Sequence, residues 1–468
     1  MDRIVPHALR TLQTKPLAPV ILQIHPANFY DVLTELREYA LTQPFRIIGA
    51  GATESPLFAP HLLEIPTFSM IGAVLPRDVV YDYAEDRRVV RIYPDEVRYA
   101  LQYPTVPPEG VFRLTRRRKE VLFTSTCWTK RLVGADVANR KGFTGRYVRV
   151  AVLDTGASLI HEQIRGKVEV YSVYRTGPQD ISGHGTWCAS CIAGRRAVDD
   201  VIYRSTGQYV EMEGMAPDAY VLSVKVLDYV VGAGSDSGII KGVEMALQMG
   251  AKIISMSLGG TEQAEREEDD PYFSVFREVV SRGVIPVVAA GNEGPKEGTV
   301  GTPGTLTDVL TVGATDPITG EIAPYSSRGP TPWGSVKPDV VAPGGGYPDK
   351  GIHSAITGML DRAGDGLPNR YSPIQGTCMP SDIDLGGITM DEVTLGDGVK
   401  AFISNRIVDD VVIAKWYQGE NVTYEIELED GRTIRATPEH KILVRRNGKF
   451  MWVEVKDLKE GDELVVDS

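Results

Sequence analysis

Three polar side chains stand where apolar runs of the chain stop. Asp154 closes VAVLD, His184 lies in Gly183-His184-Gly185-Thr186, and Asn292 follows VIPVVAAG. A carboxylate at the end of a buried strand can fix the tautomer of an imidazole. The imidazole can take a proton from a hydroxyl or thiol, and a side-chain amide can donate to an oxygen that gains negative charge. These are three of the four parts of acyl-transfer chemistry, the nucleophile being the fourth. The glycines beside His184 let the backbone come close to a bound molecule.

Such residues need a scaffold that brings strand ends together. From Tyr147 onward the runs VRVAVLDTG, AYVLSVKVLD, AKIISMSLGG, VIPVVAAGN and VLTVGAT alternate with helical segments. Near-continuous apolar strands of this kind predict a parallel sheet covered on both faces, with chemistry at the carboxyl ends of its strands. Three of those ends carry a polar residue beside glycine: Asp154-Thr155-Gly156, Ser257-Leu258-Gly259-Gly260 and Gly291-Asn292. Upstream, strands at 18–26, 68–75 and 88–93 alternate with helices at 28–41 and 77–84, which predicts a small α+β unit. A linker follows, with Pro104, Pro107 and Pro108 and the basic run Arg116-Arg117-Arg118-Lys119. From about Val393 the chain reads as all-β. One hairpin spans 421–436 and turns at Asp430-Gly431, and a second turns at Asn447-Gly448.

VAVLDTG, GHGTWCAS, GMAPDAYVLSVKVLD, IISMSLGG, PVVAAGNEGP, PYSSRGP and VKPDVVAPG occur in an order and at separations that resemble the subtilases, over about residues 120–377. The resemblance implies a subtilisin-like endopeptidase acting on polypeptides, with Asp154 as orienting acid, His184 as general base and Asn292 as oxyanion donor. It also implies that Gly232, Gly234 and Ser235 on one side, and Ser257, Leu258 and Gly259 on the other, clasp an extended peptide by strand addition. His161 falls where the family often has a histidine without a chemical role. Cys188 falls where proteinase K-like subtilases carry a free cysteine, so the Cys188/Cys191 pair reads as packing rather than as a redox or metal motif. The N-terminal unit resembles subtilase propeptides, which fill the cleft of the enzyme until self-cleavage, here expected between about Tyr103 and Phe123. No cofactor is required for catalysis. Subtilases often bind structural Ca²⁺, but the acidic run Glu265 to Asp270 reads as a solvated loop ending in a helix cap before Pro271, so no metal site is placed.

The family's nucleophile opens a long helix in a Gly-Thr-Ser-Met-Ala stretch. Here the chain reads Gly376-Thr377-Cys378-Met379-Pro380-Ser381, and neither Pro380 nor the Asp382-Ile383-Asp384-Leu385-Gly386-Gly387 stretch suits a core helix. The tail instead resembles the N-terminal part of inteins, the self-splicing Hint domains. The resemblance rests on Cys378, on Thr437-Pro438-Glu439-His440 and on Trp452 with Leu458-Lys459-Glu460-Gly461-Asp462. It departs at Pro380 to Glu392, which reads as an insertion. It implies a splice junction at Thr377-Cys378, with Cys378 as splicing nucleophile and Thr437 and His440 polarising the bond it attacks. The expected partner is a second chain that carries the other half of the intein and the serine segment. The alternatives are a thiol protease using Cys378, a non-catalytic pseudo-protease acting as a binding module, or a gene fragment.

The expected fold is thus α/β: a subtilisin-like parallel-sheet domain (111–377), preceded by a ferredoxin-like α+β propeptide (1–110) and followed by a partial all-β Hint domain (378–468). The 468 residues, 42% of them hydrophobic, suffice for about three such units. Lys+Arg 50 against Asp+Glu 62 gives a net charge of -12, the wrong sign for gripping nucleic acid. No run is long and apolar enough for a membrane span, and Met1 to Pro16 lacks the apolar core of a signal peptide. A cytoplasmic protein with no membrane partner is expected. Four scattered cysteines exclude a disulfide framework.

Overall fold

A computed structural model describes residues 3–14, 17–42, 62–101, 124–174, 177–227, 232–261, 263–345, 351–357, 361 and 370–374, together with short strands between 398 and 464. The chain divides into two compact units, Met1–Gly376 and Thr377–Ser468.

The first unit is built on a seven-stranded sheet. Its order is Val340–Pro343, Leu310–Thr315, Ile285–Ala289, Ile253–Met256, Arg149–Asp154, Tyr220–Lys225 and Val168–Ser172, and every neighbouring pair is parallel. The two-residue period of a strand assigns its side chains to opposite faces. Ala151 and Leu153 join a cluster with Ile239, Ile240 and Val243 of the helix Asp236–Gln248 and with Val275, Phe276 and Val279 of the helix Phe273–Ser281. Val150 and Val152 join the other cluster, with Cys188, Ala189 and Ala193 of the helix His184–Ala193. Asp154 shares the parity of Val150 and Val152, so the period that buries the valines aims its carboxylate at the helix that begins with His184.

The N-terminal segment forms a four-stranded antiparallel sheet, in the order Leu62–Ile65, Met70–Pro76, Leu17–Ile24, Val89–Pro94, with helices Phe29–Thr42 and Arg77–Glu85. The α+β reading of the sequence holds for this element order. The helix Pro6–Thr14 and the strands Leu62–Ile65 and Val97–Ala100 were not anticipated. The two strands are four residues each, too short to show an alternation, and Val-Arg-Tyr-Ala gains its partners only from distant segments.

The sheet lies against the helix Asp236–Gln248. Gly72 approaches Ser237 so closely that a Cβ there would stand 2.7 Å from the serine Cβ. The Thr67 N–H donates to Glu244 (2.6 Å), and Asp95 accepts from the N–H (2.8 Å) and the hydroxyl (2.6 Å) of Ser237. Leu63, Ile65, Met70 and Ile71 belong to the same apolar cluster as Ile239, Val243, Tyr272 and Phe276. The strand Val97–Ala100 leaves this sheet. It pairs antiparallel with Ala233–Ser235 on one side and Leu258–Gly259 on the other.

The acidic run departs from the solvated loop expected for it. Glu267–Asp269 is a 3-10 turn, and Asp269 and Asp270 are buried. Asp270 accepts from the Tyr272 N–H (2.9 Å) and the Thr302 hydroxyl (2.9 Å), while Arg91 and Arg266 reach Asp269. Donors from remote segments make burial tolerable here, and a local reading of charge cannot see them.

In the second unit, hairpins join Gly398–Ile403 to Arg406–Val411, Tyr424–Glu427 to Thr433–Ala436, and Lys441–Arg446 to Lys449–Glu454, with Glu463–Leu464 pairing beside the last. The latter two hairpins fall where Asp430-Gly431 and Asn447-Gly448 predicted turns. Thr377, Cys378, Thr437 and His440 lie outside the described residues, as does the basic linker. Among the described residues no helix is long and apolar enough to cross a membrane.

Burial pushes the carboxyls of Asp95 and Asp270 up to about 7. A carboxyl raised on folding contributes stability below its unfolded pKa of about 4, and loses that contribution as pH climbs through its folded value. The melting temperature of the full chain should therefore carry a falling component between pH 5 and 7.5. Asp95→Asn, which mimics the protonated acid, should flatten that slope, with the wild type losing roughly 2 °C or more relative to the variant. Parallel slopes in calorimetry would contradict this.

Candidate functional site

Because the strands are parallel, their carboxyl ends share one edge of the sheet. Asp154 terminates Arg149–Asp154, and Asn292 follows Ile285–Ala289 two strands away. His184 is the first residue of its helix. The structure brings Asp154 and His184 together: His184 Nδ1 lies 2.8 Å from Asp154 Oδ1, and both are essentially inaccessible, at 1% and 0%. The same Oδ1 also accepts from the Thr155 N–H at 2.7 Å. Burial disfavours a charged imidazole, but the Asp154 carboxylate outweighs it, and the His184 pKa is raised above its ordinary value. With Nδ1–H held by Asp154, Nε2 is the nitrogen left to accept a proton from a nucleophile.

Glycine is required on both sides of this histidine. Gly183 adopts φ 107°, and a Cβ there would run into the Thr357 carbonyl. A Cβ at Gly185 would strike the carbonyl of Gly156. The turn is tied by a residue that sequence reasoning missed, Asp180. Its carboxylate accepts from Thr155 Oγ1 (2.9 Å), the Gly183 N–H (2.7 Å), the Thr186 N–H (2.8 Å) and Thr186 Oγ1 (2.6 Å). Asp180 therefore joins the loop after Asp154 to the turn carrying His184. An acidic residue four positions before His184 was the available signal, but on its own it reads as a turn residue.

Asn292 is half-buried. Its N–H donates to the Glu293 carboxylate at 2.7 Å, and that carboxylate also accepts from the Ser327 hydroxyl at 2.9 Å. Gly291, at φ 113°, leaves no room for a side chain beside Glu293 and Ser327. The turn presenting Asn292 is thus fixed by a second, half-buried carboxylate that the sequence did not single out.

Cys188 Sγ lies 3.8 Å from His184 Nε2. Burial pushes its thiol up to about 12 and that of Cys191 likewise, so both remain protonated, and both are free cysteines. Asp154, His184 and Cys188 could converge on a cation within 4.8 Å of one another, but a thiol held protonated is a poor ligand. His161 is buried away from the pair, with Nε2 2.9 Å from the Arg370 carbonyl.

The six residues expected to clasp a peptide hold a strand of the chain itself. Arg98 lies opposite Gly234, Tyr99 opposite Ala233 and Val97 opposite Ser235, while Ala100 lies opposite Leu258 and Tyr99 opposite Gly259. The Ala100 N–H donates to the Gly232 carbonyl (2.8 Å), and the Leu101 N–H to the Ser257 carbonyl (3.0 Å). The segment Val97–Leu101 thus fills the space between the two edges through main-chain hydrogen bonds.

A parallel sheet, two main-chain edges that receive a strand and a buried acid–imidazole pair stand together in the first unit. The chain belongs to the subtilase family, whose model matches residues 145–381. It is 35% identical over 267 residues to Serine protease AprX of Bacillus subtilis (strain 168), covering 53% of this chain and 58% of that protein. It is 33% identical over 216 residues to Subtilisin E of the same organism, with 45% and 50% covered. It is 31% identical over 266 residues to human Membrane-bound transcription factor site-1 protease, with 55% and 22% covered. The chain thus spans little more than half the length of the first two relatives and less of the third.

Two outcomes follow from the pair and its support. In a histidine NMR titration, His184 should titrate above its ordinary value, and its midpoint should fall in Asp154→Asn, because the carboxylate that offsets burial is then gone; an unchanged midpoint would remove Asp154 from this role. Asp180→Asn turns an amide donor toward a cluster of donors. It should cost about 3 kcal/mol in chemical denaturation and shift the His184 resonances, whereas a neutral substitution would mean that the four bonds do not organise the turn.

Proposed function

We propose that the chain is the precursor of a subtilisin-like serine endopeptidase, with Asp154 orienting His184 as general base and Asn292 donating to the oxyanion. The observation that carries this reading is the strand Val97–Ala100 lying between Ala233–Ser235 and Leu258–Gly259, beside the Asp154–His184 pair. A cleft that takes an extended chain by main-chain hydrogen bonds takes polypeptide substrates in the same way. The N-terminal α+β segment is then a propeptide that occupies the cleft until it is cut and displaced.

The nucleophile arrives by splicing. Cys378 Sγ attacks the Thr377 carbonyl carbon, the C–N bond breaks, and the released amine takes a proton as the amide becomes a thioester. Thr437 and His440 polarise that carbonyl. The acyl group then passes to the hydroxyl of the residue that follows the intein, the serine of the protease supplied by a second chain, as the C–S bond breaks and Cys378 regains its thiol. Once the bond between the intein and that serine's amine is cut, the acyl group shifts to the amine as a peptide bond and the hydroxyl is freed. Support comes from Cys378-Met379-Pro380 standing where the family has Ser-Met-Ala, from the family match ending at residue 381, and from the strand pairs that follow.

The test is to mix the full chain with a polypeptide carrying the complementary intein half and a Ser-Met-Ala continuation, and then to add a fluorophosphonate probe. A ligated, probe-labelled product that requires Cys378 and His184 is expected. Peptide hydrolysis by the chain alone that depends on the Cys378 thiol would overturn the splicing reading in favour of a thiol protease.

A further inference from the structure

The strand in the cleft carries one side chain that main-chain pairing does not explain. Arg98 is 2% exposed, although it belongs to a segment that lies on the cleft rather than inside a core. Its Nε and one terminal nitrogen donate to the two oxygens of Asp236 at 2.7 and 2.8 Å. Asp236 is fully buried, opens the helix Asp236–Gln248, and also accepts from the Tyr272 hydroxyl at 2.8 Å. The way to it passes over Gly260, where a Cβ would lie 2.8 Å from the Arg98 guanidinium and 3.0 Å from its Cδ. Asp270 lies close enough for the two charges to act on each other. Glu96, of the strand's own segment, adds a contact at 3.0 Å.

Asp236, Tyr272, Asp270 and Gly260 all belong to the subtilase-like part of the chain. They form a pocket whose shape and charge fit a guanidinium: two parallel hydrogen bonds to one carboxylate, in an enclosed place where an unpaired carboxylate would be costly. Aliphatic side chains would leave Asp236 unpaired, and lysine would supply one point of contact for two.

The register fixes where this pocket stands relative to the chemistry. Ala100 lies against Gly232 and Thr155, the residue following Asp154, and a Cβ on Gly232 would stand 2.8 Å from the Ala100 Cβ and 3.1 Å from Thr155 Cγ2. Leu101 makes the last strand hydrogen bond, to Ser257. Leu101 is the last described residue of the paired segment, one position beyond Ala100; with its carbonyl taken as the one attacked, Arg98 is the fourth residue counted back from the cut.

Resting on the endopeptidase reading above, we infer that Asp236 is a specificity-determining residue that selects arginine at the fourth position before the cut bond. The chain's own Arg98-Tyr99-Ala100-Leu101 is its first substrate, with cleavage after Leu101 rather than in the 103–123 linker. Small residues are preferred at the position of Ala100, where Gly232 and Thr155 leave room for a methyl group.

Two measurements test this, and only one needs an active enzyme. In the full chain, hydrogen exchange at the Ala100 and Leu101 amides reports how firmly the strand is held. Arg98→Leu should speed exchange by about 30-fold or more, the scale for breaking one side of a buried ion pair. Arg98→Lys should fall between, and the double variant Arg98→Leu/Asp236→Leu should regain protection, because no charge is then left unpaired. Exchange in Arg98→Leu at the wild-type rate overturns the pocket assignment, whether or not the chain is ever a protease. In the spliced enzyme, kcat/KM for a peptide containing Arg-Tyr-Ala-Leu should exceed that for Leu-Tyr-Ala-Leu by about 30-fold, and Asp236→Asn should remove most of the difference. A new N-terminus at Gln102 is expected on processing. Equal rates for the two peptides overturn the specificity, while absence of any active product with the exchange result intact overturns only the endopeptidase reading.

Discussion

The site depends on one constraint: a carboxylate inside a protein must be surrounded by donors, and the donors must be held in place to satisfy it. Asp180 meets four donors on the two segments that carry Asp154 and His184. Glu293 does the same for the turn that presents Asn292. Neither carboxylate faces the chemistry. Each converts the freedom of a glycine-rich turn into a single geometry, and the glycines in turn let donors and acceptors come within reach. The acid–imidazole pair has its 2.8 Å separation because the loops on either side are tied to a common anion.

The sheet contributes the larger frame. Its parallel strands put their carboxyl ends on one edge, and their two-residue period decides which helix each strand residue faces. One pattern therefore fills the two apolar clusters and selects the partner of Asp154. Beyond the sheet, Ala233–Ser235 and Leu258–Gly259 present main-chain groups to whatever extended segment lies between them. Main-chain pairing is indifferent to side chains; Arg98 is held separately, through its guanidinium, by Asp236.

Much of this was legible in the sequence. The apolar strands, the positions of Asp154, His184 and Asn292, and the two glycine-bearing edges follow from patterns within a few residues of one another. Asp180, Glu293 and Asp236 are not legible, because each is enclosed with the help of a donor from a remote segment, Thr155, Ser327 and Arg98 respectively, and nothing local separates such a residue from an ordinary surface one. The acidic run 265–270 reads as solvated for the same reason: Arg91 and Thr302 come to it from elsewhere in the fold. Val97–Ala100 was missed as a strand because both of its partners lie more than 130 residues away in sequence.

The helix Asp236–Gln248 belongs to two neighbourhoods at once. Its first residue holds Arg98 of the strand Val97–Ala100, while its flank, with that of Phe273–Ser281, shares an apolar cluster with the N-terminal sheet. Severing the backbone after Leu101 would leave Leu63, Ile65, Met70 and Ile71 buried where they are. The two pieces would stay together as a tight noncovalent complex, so a cut there would not by itself vacate the space between Ala233–Ser235 and Leu258–Gly259.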